Sequence, residues 1–385
     1  MKVLFVTHYS ELYGANLSMC NVAETLKNKY NVEVVVLCLS ENKNDLKQYL
    51  DILGIETAFL KFYNTVYRKN SLCGIFKAYF NCKRNLKLLS RLDTFFKENK
   101  FSLIHTNTMA TFVGAQLARK YRIPHIWHLR EFMEEDYGLC QIKNREFKEA
   151  LNYTSRFIAI SDSIKQKYLP FVEKKKIVRI YNGIPSIESR EKNICNKKVI
   201  FSLVGVIRES KGTLEAISAF VKLVDSGYQN TELWIIGGGM EQKKSPYIKK
   251  INKMVNSFSY SEKIKFLGYR KDVMQLLDYV DVGLICSKLE AFGRITIEYM
   301  MKRVYVIGAD SGGTAELIQD DLTGALYEAG NIAALKEKMS DYMLYRKEKQ
   351  RIVDNAYKYS QDFTIDNCVD NIYKEYEKIL NERDN

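Results

Sequence analysis

Near-continuous apolar runs of strand length alternate with stretches of helical period along almost the whole chain. Residues 2–7, 32–39, 125–129, 157–160, 199–207, 233–236, 282–286 and 304–307 are such runs. Apolar residues at successive positions mark a strand covered on both faces, as in a parallel sheet flanked by helices. Helical periods occupy 15–29, 109–120, 162–168, 213–224 and 365–380, with further helices from about residue 331. Ser161 stands where an N-cap is expected, just before the helix at 162–168. Strand, helix, strand at this spacing predicts a doubly wound α/β fold. A polar, charged stretch at 186–198 reads as a linker, and the series starts again at Lys198. The chain therefore reads as two domains, residues 1–186 and 198–362, followed by a helical segment at 363–385.

The most informative stretch is 281–316, DVGLICSKLEAFGRITIEYMMKRVYVIGADSGGTAE. Its first apolar run ends in a loop with Glu290, Phe292 and Gly293, and a helical pattern continues through Glu298. Its second run ends in Asp310, Gly312 and Gly313, then Thr314 and Glu316. Small residues at such turns let backbone approach a ligand, and the first amides of a helix lack internal partners and favour phosphate. Eight residues of pure helix would separate Glu290 from Glu298 by about 12 Å. With Glu290 in the preceding loop, both can face one pocket, and the stretch reads as a nucleotide-sugar donor site. Gly14, after the first strand, would let that loop approach a ligand as well. His8, His105 and His128 fall near predicted strand ends facing one crevice, where ligands collect in open α/β sheets. A lone strand-end histidine is by default a structural hydrogen-bonder, and it is their convergence that makes a chemical role worth testing.

At 385 residues the chain can bury two sizeable cores. Its formal charge of +13 is high. Much of the excess lies in residues 61–100, where Lys61, Arg68, Lys69, Lys77, Lys83, Arg84, Lys87, Arg91, Lys97 and Lys100 face only Asp93 and Glu98. Such an excess suits an anionic partner. In the same region Phe76, Tyr79, Phe80, Leu86, Leu89, Leu92 and Phe95 roughly follow helical spacing. One expectation is helices that pack an apolar face and solvate a basic one. The other is a patch that meets an anionic membrane surface. The eight cysteines form no C-x-x-C pair, so neither structural zinc nor a disulfide framework is expected. The first strand is too short for a signal peptide, and no apolar run approaches the ~20 residues that span a bilayer. A reducing, cytoplasmic compartment follows as the expectation.

E-A-F-G followed by Glu298 resembles the E-x7-E signature of the GT-B-fold retaining glycosyltransferases (family 4, or group 1), which usually show E-G-F-G. The later S-G-G-T-A-E resembles the family's G-G-x-x-E element. The resemblance covers nearly the whole chain. Y-N-G-I-P at 181–185 is similar to the Y-N-G-[IV]-D that usually leaves the first domain, with Pro185 in place of Asp. The first loop has Tyr13 and Gly14 where the family has two glycines. The family's G-R-x-x-x-x-K-G is matched at Gly205, Lys211 and Gly212, while Val206 replaces its Arg and Arg208 stands two residues on. Gly238, within Gly237–Gly239, resembles a G-x-G turn, and Tyr269 and Arg270 lie in the loop whose backbone meets the base in the family. Arg130 stands where many members have a histidine near the donor sugar and acceptor, with His128 on the same side of the strand two residues earlier. Which of the two would do that histidine's work stays open.

The resemblance implies a GT-B architecture, with two Rossmann-like domains facing a central cleft and the last helix returning to the first domain. It implies transfer of a sugar, with retention, from a nucleotide diphosphate donor (UDP- or GDP-sugar) to a glycan or lipid-linked acceptor, as in bacterial surface polysaccharide synthesis. Glu298 would take the ribose hydroxyls, and Glu290 would lie near the transferred sugar. Lys211, Arg208 and the amides around Phe292, Gly293 and Arg294 would hold the diphosphate. No D-x-D occurs, in keeping with a metal-independent site, and no cofactor is implied. No residue stands out as general base; the departing phosphate can take the acceptor proton. A peripheral place on the inner face of the cytoplasmic membrane would suit the basic region. The competing readings are a sugar-nucleotide epimerase of the same fold and a non-catalytic basic protein that binds membrane or nucleic acid. No zinc-finger, basic-zipper or RNP pattern supports nucleic acid, which is not an expected partner.

Overall fold

The computed structural model describes residues 1–41, 45–189, 198–242 and 245–384; most of the expected linker, 190–197, lies outside the described residues. The chain forms two compact units, Met1–Pro185 with Thr364–Asn385, and Ser186–Phe363.

The first unit is built on a seven-stranded parallel sheet. Its strands in spatial order are Glu56–Phe59, Glu33–Cys38, Lys2–Thr7, Leu103–Thr106, His125–Leu129, Arg156–Ala159 and Ile177–Arg179. The register sets Lys2 beside Glu33 and Val3 beside Leu103. Alternation along the central strand explains its unbroken apolar run. Val3 and Phe5 enter a core with the helix Gly14–Tyr30 and the last helix, Ile365–Asp384, whereas Leu4 and Val6 enter a core with Leu89, Leu92, Phe96 and Leu117. The last helix buries Val369, Ile372, Tyr376 and Ile379, one stripe at helical spacing. It is tied to the first helix by Tyr373 stacked on Tyr30 at 3.9 Å and by Lys29–Asp370 at 2.6 Å.

The second unit repeats the plan with six strands. In spatial order they are Ile264–Gly268, Thr231–Ile236, Val199–Val204, Val282–Ile285, Tyr305–Ala309 and Ala325–Tyr327, all parallel. The helices Thr213–Asp225 and Ile332–Leu344 pack Phe220, Leu223, Leu335 and Met339 into its core. In each sheet the first strand of the unit lies third, so the chain order reverses beside it. In doubly wound sheets ligands collect at that switch point, beyond the carboxyl ends of the strands.

Two expectations needed correction. The helix foreseen at 109–120 is Val113–Tyr121. Thr108 and Thr111 accept from the amides of Ala110 and Val113, and these local bonds compete with helix for the backbone. In the basic region, the helix Leu72–Leu88 turns inward Ala78, Asn81, Cys82 and Asn85, and leaves Phe76, Tyr79, Phe80 and Leu86 exposed. Leu89 and Leu92, in the turn that follows, are buried as the spacing suggests. Among the described residues no helix is long and apolar enough to cross a membrane, and the seven cysteines there are all free.

Candidate functional site

In the second unit, the predicted donor residues lie at the carboxyl ends of the strands. Val199–Val204 leads to Arg208 and a 3-10 turn, Glu209–Lys211, which ends in Gly212 at φ 67°. A Cβ at Gly212 would stand 2.0 Å from the Cys286 carbonyl oxygen. Only glycine lets this loop press onto the end of Val282–Ile285, where the Lys288 amide donates to the Ser210 carbonyl. Lys211 Nζ thereby reaches both carboxylate oxygens of Glu290, at 3.0 and 2.7 Å.

Glu290 is held from the other side by the S-G-G-T-A-E stretch. The Gly313 amide donates to the Glu290 carbonyl at 2.7 Å, and a Cβ on Gly313 would come within 2.7 Å of the Phe292 backbone. The paired glycines are thus explained by packing against the loop 290–292. The helix Arg294–Met301 begins just after Gly293. Arg294 Nε donates to Glu298 Oε1 at 2.9 Å across one helical turn, while Arg294 Nη1 and Thr296 Oγ1 are buried without a hydrogen-bond partner among the described residues. Each glutamate of the pair is thus matched with a cation. The Phe292 side chain is 3% exposed and points into the core, so it can serve a ligand only through its backbone. Gly238 lies beside Tyr269, whose Cβ is 4.0 Å from where a Gly238 Cβ would be. Tyr269 is 77% exposed, and Arg270 pairs with Asp272 at the surface. The structure brings Lys211 to Glu290 and Arg294 to Glu298; it shows no contact that brings Tyr269 or Arg270 to either pair.

In the first unit, the chemistry gathers around Arg130, which is 6% exposed. Its Nε donates to Asn107 Oδ1 and its Nη1 to Asn182 Oδ1, each at 2.6 Å. Its Nη2 lies 3.3 Å from His128 Nδ1. Guanidinium nitrogens only donate, so His128 Nδ1 is the acceptor and the neutral ring carries its proton on Nε2. The neighbouring contacts then follow. His105 Nε2, 3.1 Å from His128 Nδ1, donates to it, and His105 Nδ1 accepts from the Tyr376 hydroxyl at 2.5 Å. His128 Nε2 is buried with no partner among the described residues. Burial, then the Arg130 charge, holds both imidazoles well below their usual pKa, so both are neutral at pH 7. His105 and His128 are 0% and 1% exposed, so neither faces an open crevice as foreseen. His8 is close behind the first strand, and burial lowers it to about 4. A Cβ on Gly14 would meet nothing within 4 Å, so nothing in the protein requires glycine there.

Four residues of this cluster escaped the sequence. Asn107 and Asn182 hold Arg130, and Tyr376 comes from the last helix. Glu131, raised by burial, accepts from the Thr108 hydroxyl and the Met109 amide beside Arg130. Only Asn182 stood inside a recognisable motif.

Residues 186–359 match the family model of glycosyl transferases group 1, and residues 13–186 match that of glycosyltransferase family 4. The chain is a GT-B glycosyltransferase of group 1. Among its relatives, this glycosyltransferase is 23% identical over 370 residues to an α-1,4-N-acetyl-D-galactosaminyltransferase of Campylobacter jejuni that acts on an undecaprenol-diphosphate-linked glycan, covering 95% of each chain. It is 25% identical over 284 residues to the capsular polysaccharide biosynthesis glycosyltransferase CapM of Staphylococcus aureus, covering 67% of this chain and 73% of that one. Its fold matches that of Anabaena Alr3699/HepE in complex with UDP, with a TM-score of 0.80, 20% identity, and coverage of 98% and 100%.

Proposed function

We propose that this glycosyltransferase moves a hexosyl or related sugar from a nucleotide diphosphate donor to a growing glycan on a lipid carrier, with retention, in the synthesis of a bacterial surface polysaccharide. The observation that carries the reading is the pairing of Glu290 with Lys211 and of Glu298 with Arg294 at the strand ends of the second unit. Lys211, assisted by Arg208, takes the diphosphate, and the first amides of the helix Arg294–Met301 add a partial positive charge. Positioned cations and amides stabilise charge that grows on the leaving phosphate. Glu298 accepts from the ribose hydroxyls and Glu290 from hydroxyls of the transferred sugar, since ionised carboxylates only accept. Gly238, Tyr269 and Arg270 border the base, and Gly14 the donor. Arg130 supplies a fixed positive charge in the first unit, with His128 donating through Nε2. No residue is needed as general base if the departing phosphate takes the acceptor proton. These charges make the transfer independent of a metal.

UDP is the favoured nucleotide, because the fold relative from Anabaena binds it; GDP is the alternative. The lipid-linked acceptor is favoured by the acceptor of the Campylobacter relative, and it would be met at the inner face of the cytoplasmic membrane by a peripherally bound enzyme.

A thermal-shift panel with UDP, GDP, ADP, TDP and CMP, on wild type and Glu298→Ala, tests the donor site. Ligand at 100 times its dissociation constant adds about 2.7 kcal/mol of stability. The expected result is a selective shift with one nucleoside diphosphate, lost in the variant. No shift with any nucleotide would overturn the reading.

A further inference from the structure

Three adjacent strands of the first sheet, Lys2–Thr7, Leu103–Thr106 and His125–Leu129, end side by side at its switch point. Two residues beyond each end stand Tyr9, Thr108 and Glu131. Glu131 Oε1 accepts from the Thr108 hydroxyl and from the Met109 amide, the latter at 2.9 Å. Glu131 Oε2 has no hydrogen-bond partner among the described residues, and the residue is only partly covered. The other acids of its loop are engaged, Glu134 with Lys69 at 2.6 Å, Glu135 with Lys167, and Asp136 with the Phe132 amide at 3.1 Å. The loop is also strained. Met133, buried, has φ 60° and ψ −71° in a tight turn closed by the Glu134 amide on the Phe132 carbonyl at 2.7 Å. Such backbone persists only where the surroundings hold it, and it clusters at ligand sites. Here the Tyr168 hydroxyl holds the Glu131 carbonyl at 3.0 Å, and Lys167 holds the Phe132 carbonyl. Tyrosine rings gather beside Glu131. Burial, then the nearby Glu131 and Tyr137, raise the Tyr9 pKa, and the Tyr9 ring lies 6.3 Å from that of Tyr13. Tyr13 and Tyr137 are 67% and 54% exposed.

We propose that Glu131, Tyr9 and Tyr137 form a subsite for an uncharged sugar of the acceptor, in which Glu131 Oε2 accepts from a sugar hydroxyl, the rings cover the sugar's C–H face, and Glu131 excludes acidic sugars. The proposal rests on the glycan acceptor proposed above and names the class of sugar that acceptor must present. An ionised carboxylate accepts from hydroxyls and donates nothing, and a tyrosine offers apolar area with a polar tip. One oriented polar group beside aromatic rings is what fixes a small hydroxylated ligand. A uronate would set a second negative charge against Glu131, and such juxtaposition is how a site rejects a near relative of its ligand. The Arg130 guanidinium next to it offers a uronate no relief, because it is buried and bonded to Asn107, Asn182 and His128. A phosphate fits poorly for the same reason.

Ligand-observed NMR titration of the full chain with the methyl glycosides of glucose, galactose, N-acetylglucosamine, N-acetylgalactosamine and glucuronic acid tests this. Wild type is expected to bind at least one neutral glycoside, and the glucuronide at least tenfold more weakly. Glu131→Gln keeps an oxygen for Thr108 and Met109 but removes the charge, so it should narrow that difference to within threefold. Tyr137→Ala, at the surface, should weaken the neutral glycoside at least fivefold, and it decides the matter if Glu131→Gln fails to fold. Binding of no neutral glycoside, binding of the glucuronide as tightly as the neutral sugars, or folded variants that both behave like wild type overturns the proposal. The thermal shift with UDP is read separately on the same proteins. Loss of the donor-site reading would appear there, and not in the glycoside titrations.

Discussion

The Lys211 ammonium lies within hydrogen-bond distance of both carboxylate oxygens of Glu290, so the candidate phosphate ligand and the candidate sugar ligand hold one another. On the proposed roles, a donor diphosphate shares Lys211 with Glu290. Glu290→Gln removes the competing charge. It is expected to leave UDP affinity unchanged or tighter while kcat falls at least a hundredfold. Lys211→Ala should weaken UDP at least tenfold. It should also cost about 1–3 kcal/mol in stability, because Glu290, largely buried, loses its partner. Calorimetric titration with UDP and urea unfolding of the two variants check the opposed signs.

On the proposed reading, Lys211, Arg208 and helix amides neutralise the diphosphate and no step requires a divalent cation. Turnover measured as UDP release is expected to stay within twofold after exhaustive chelation. A loss of more than tenfold, restored by one divalent metal, would refute metal independence.

His105, His125 and His128 are buried and His8 is partly so, and all four have a lowered pKa, His8 at about 4 and His125 at about 3, with His105 and His128 also well below normal. Below pH 6.5 the unfolded chain binds protons that the folded chain refuses, so stability falls as the pH drops. Each ring contributes up to about 1.4 kcal/mol per pH unit, until the pH reaches its own folded value. Urea midpoints between pH 7.5 and 5 should therefore decline with falling pH. Over pH 6–8, kcat should show no inflection assignable to His128, which stays neutral; an inflection near 6.5 that disappears in His128→Gln would contradict its lowered pKa.

Gly313→Ala places a methyl group against the Phe292 backbone. The loop bearing Glu290 must then shift. The variant is expected to lose about 1–3 kcal/mol, as for overpacking of a filled site. It should also lose UDP affinity although residue 313 carries no polar side chain. Melting temperature and UDP titration read the two effects.

Arg130 satisfies Asn107, Asn182 and His128 with three separate nitrogens. Lysine keeps the charge but not the fork. Arg130→Lys should therefore retain the fold with kcat reduced at least tenfold and UDP affinity little changed. Arg130→Met should in addition cost about 1–3 kcal/mol for the acceptors left unpaired. Equal kcat in wild type and Arg130→Lys would show that charge alone matters there.

Much of this protein was legible in order along the chain. The apolar runs located the strands, Ser161 does accept from the Ile164 amide as the expected cap, and the motif around Glu290 and Glu298 marked the switch point of the second sheet. These signals are local, because strand burial, helix period and capping depend on residues a few positions apart. The tertiary structure alone decided the partners. Lys211 meets Glu290 across 79 residues, Arg130 meets Asn182 across 52, and His105 meets Tyr376 across 271. It also decided which face of Leu72–Leu88 is exposed. The helical period of that segment identified an amphipathic helix, but the carbonyls of Tyr63 and Asn64, by bonding Asn85 and Asn81, turned the side with Ala78, Asn81, Cys82 and Asn85 inward and left its aromatic and basic residues outside.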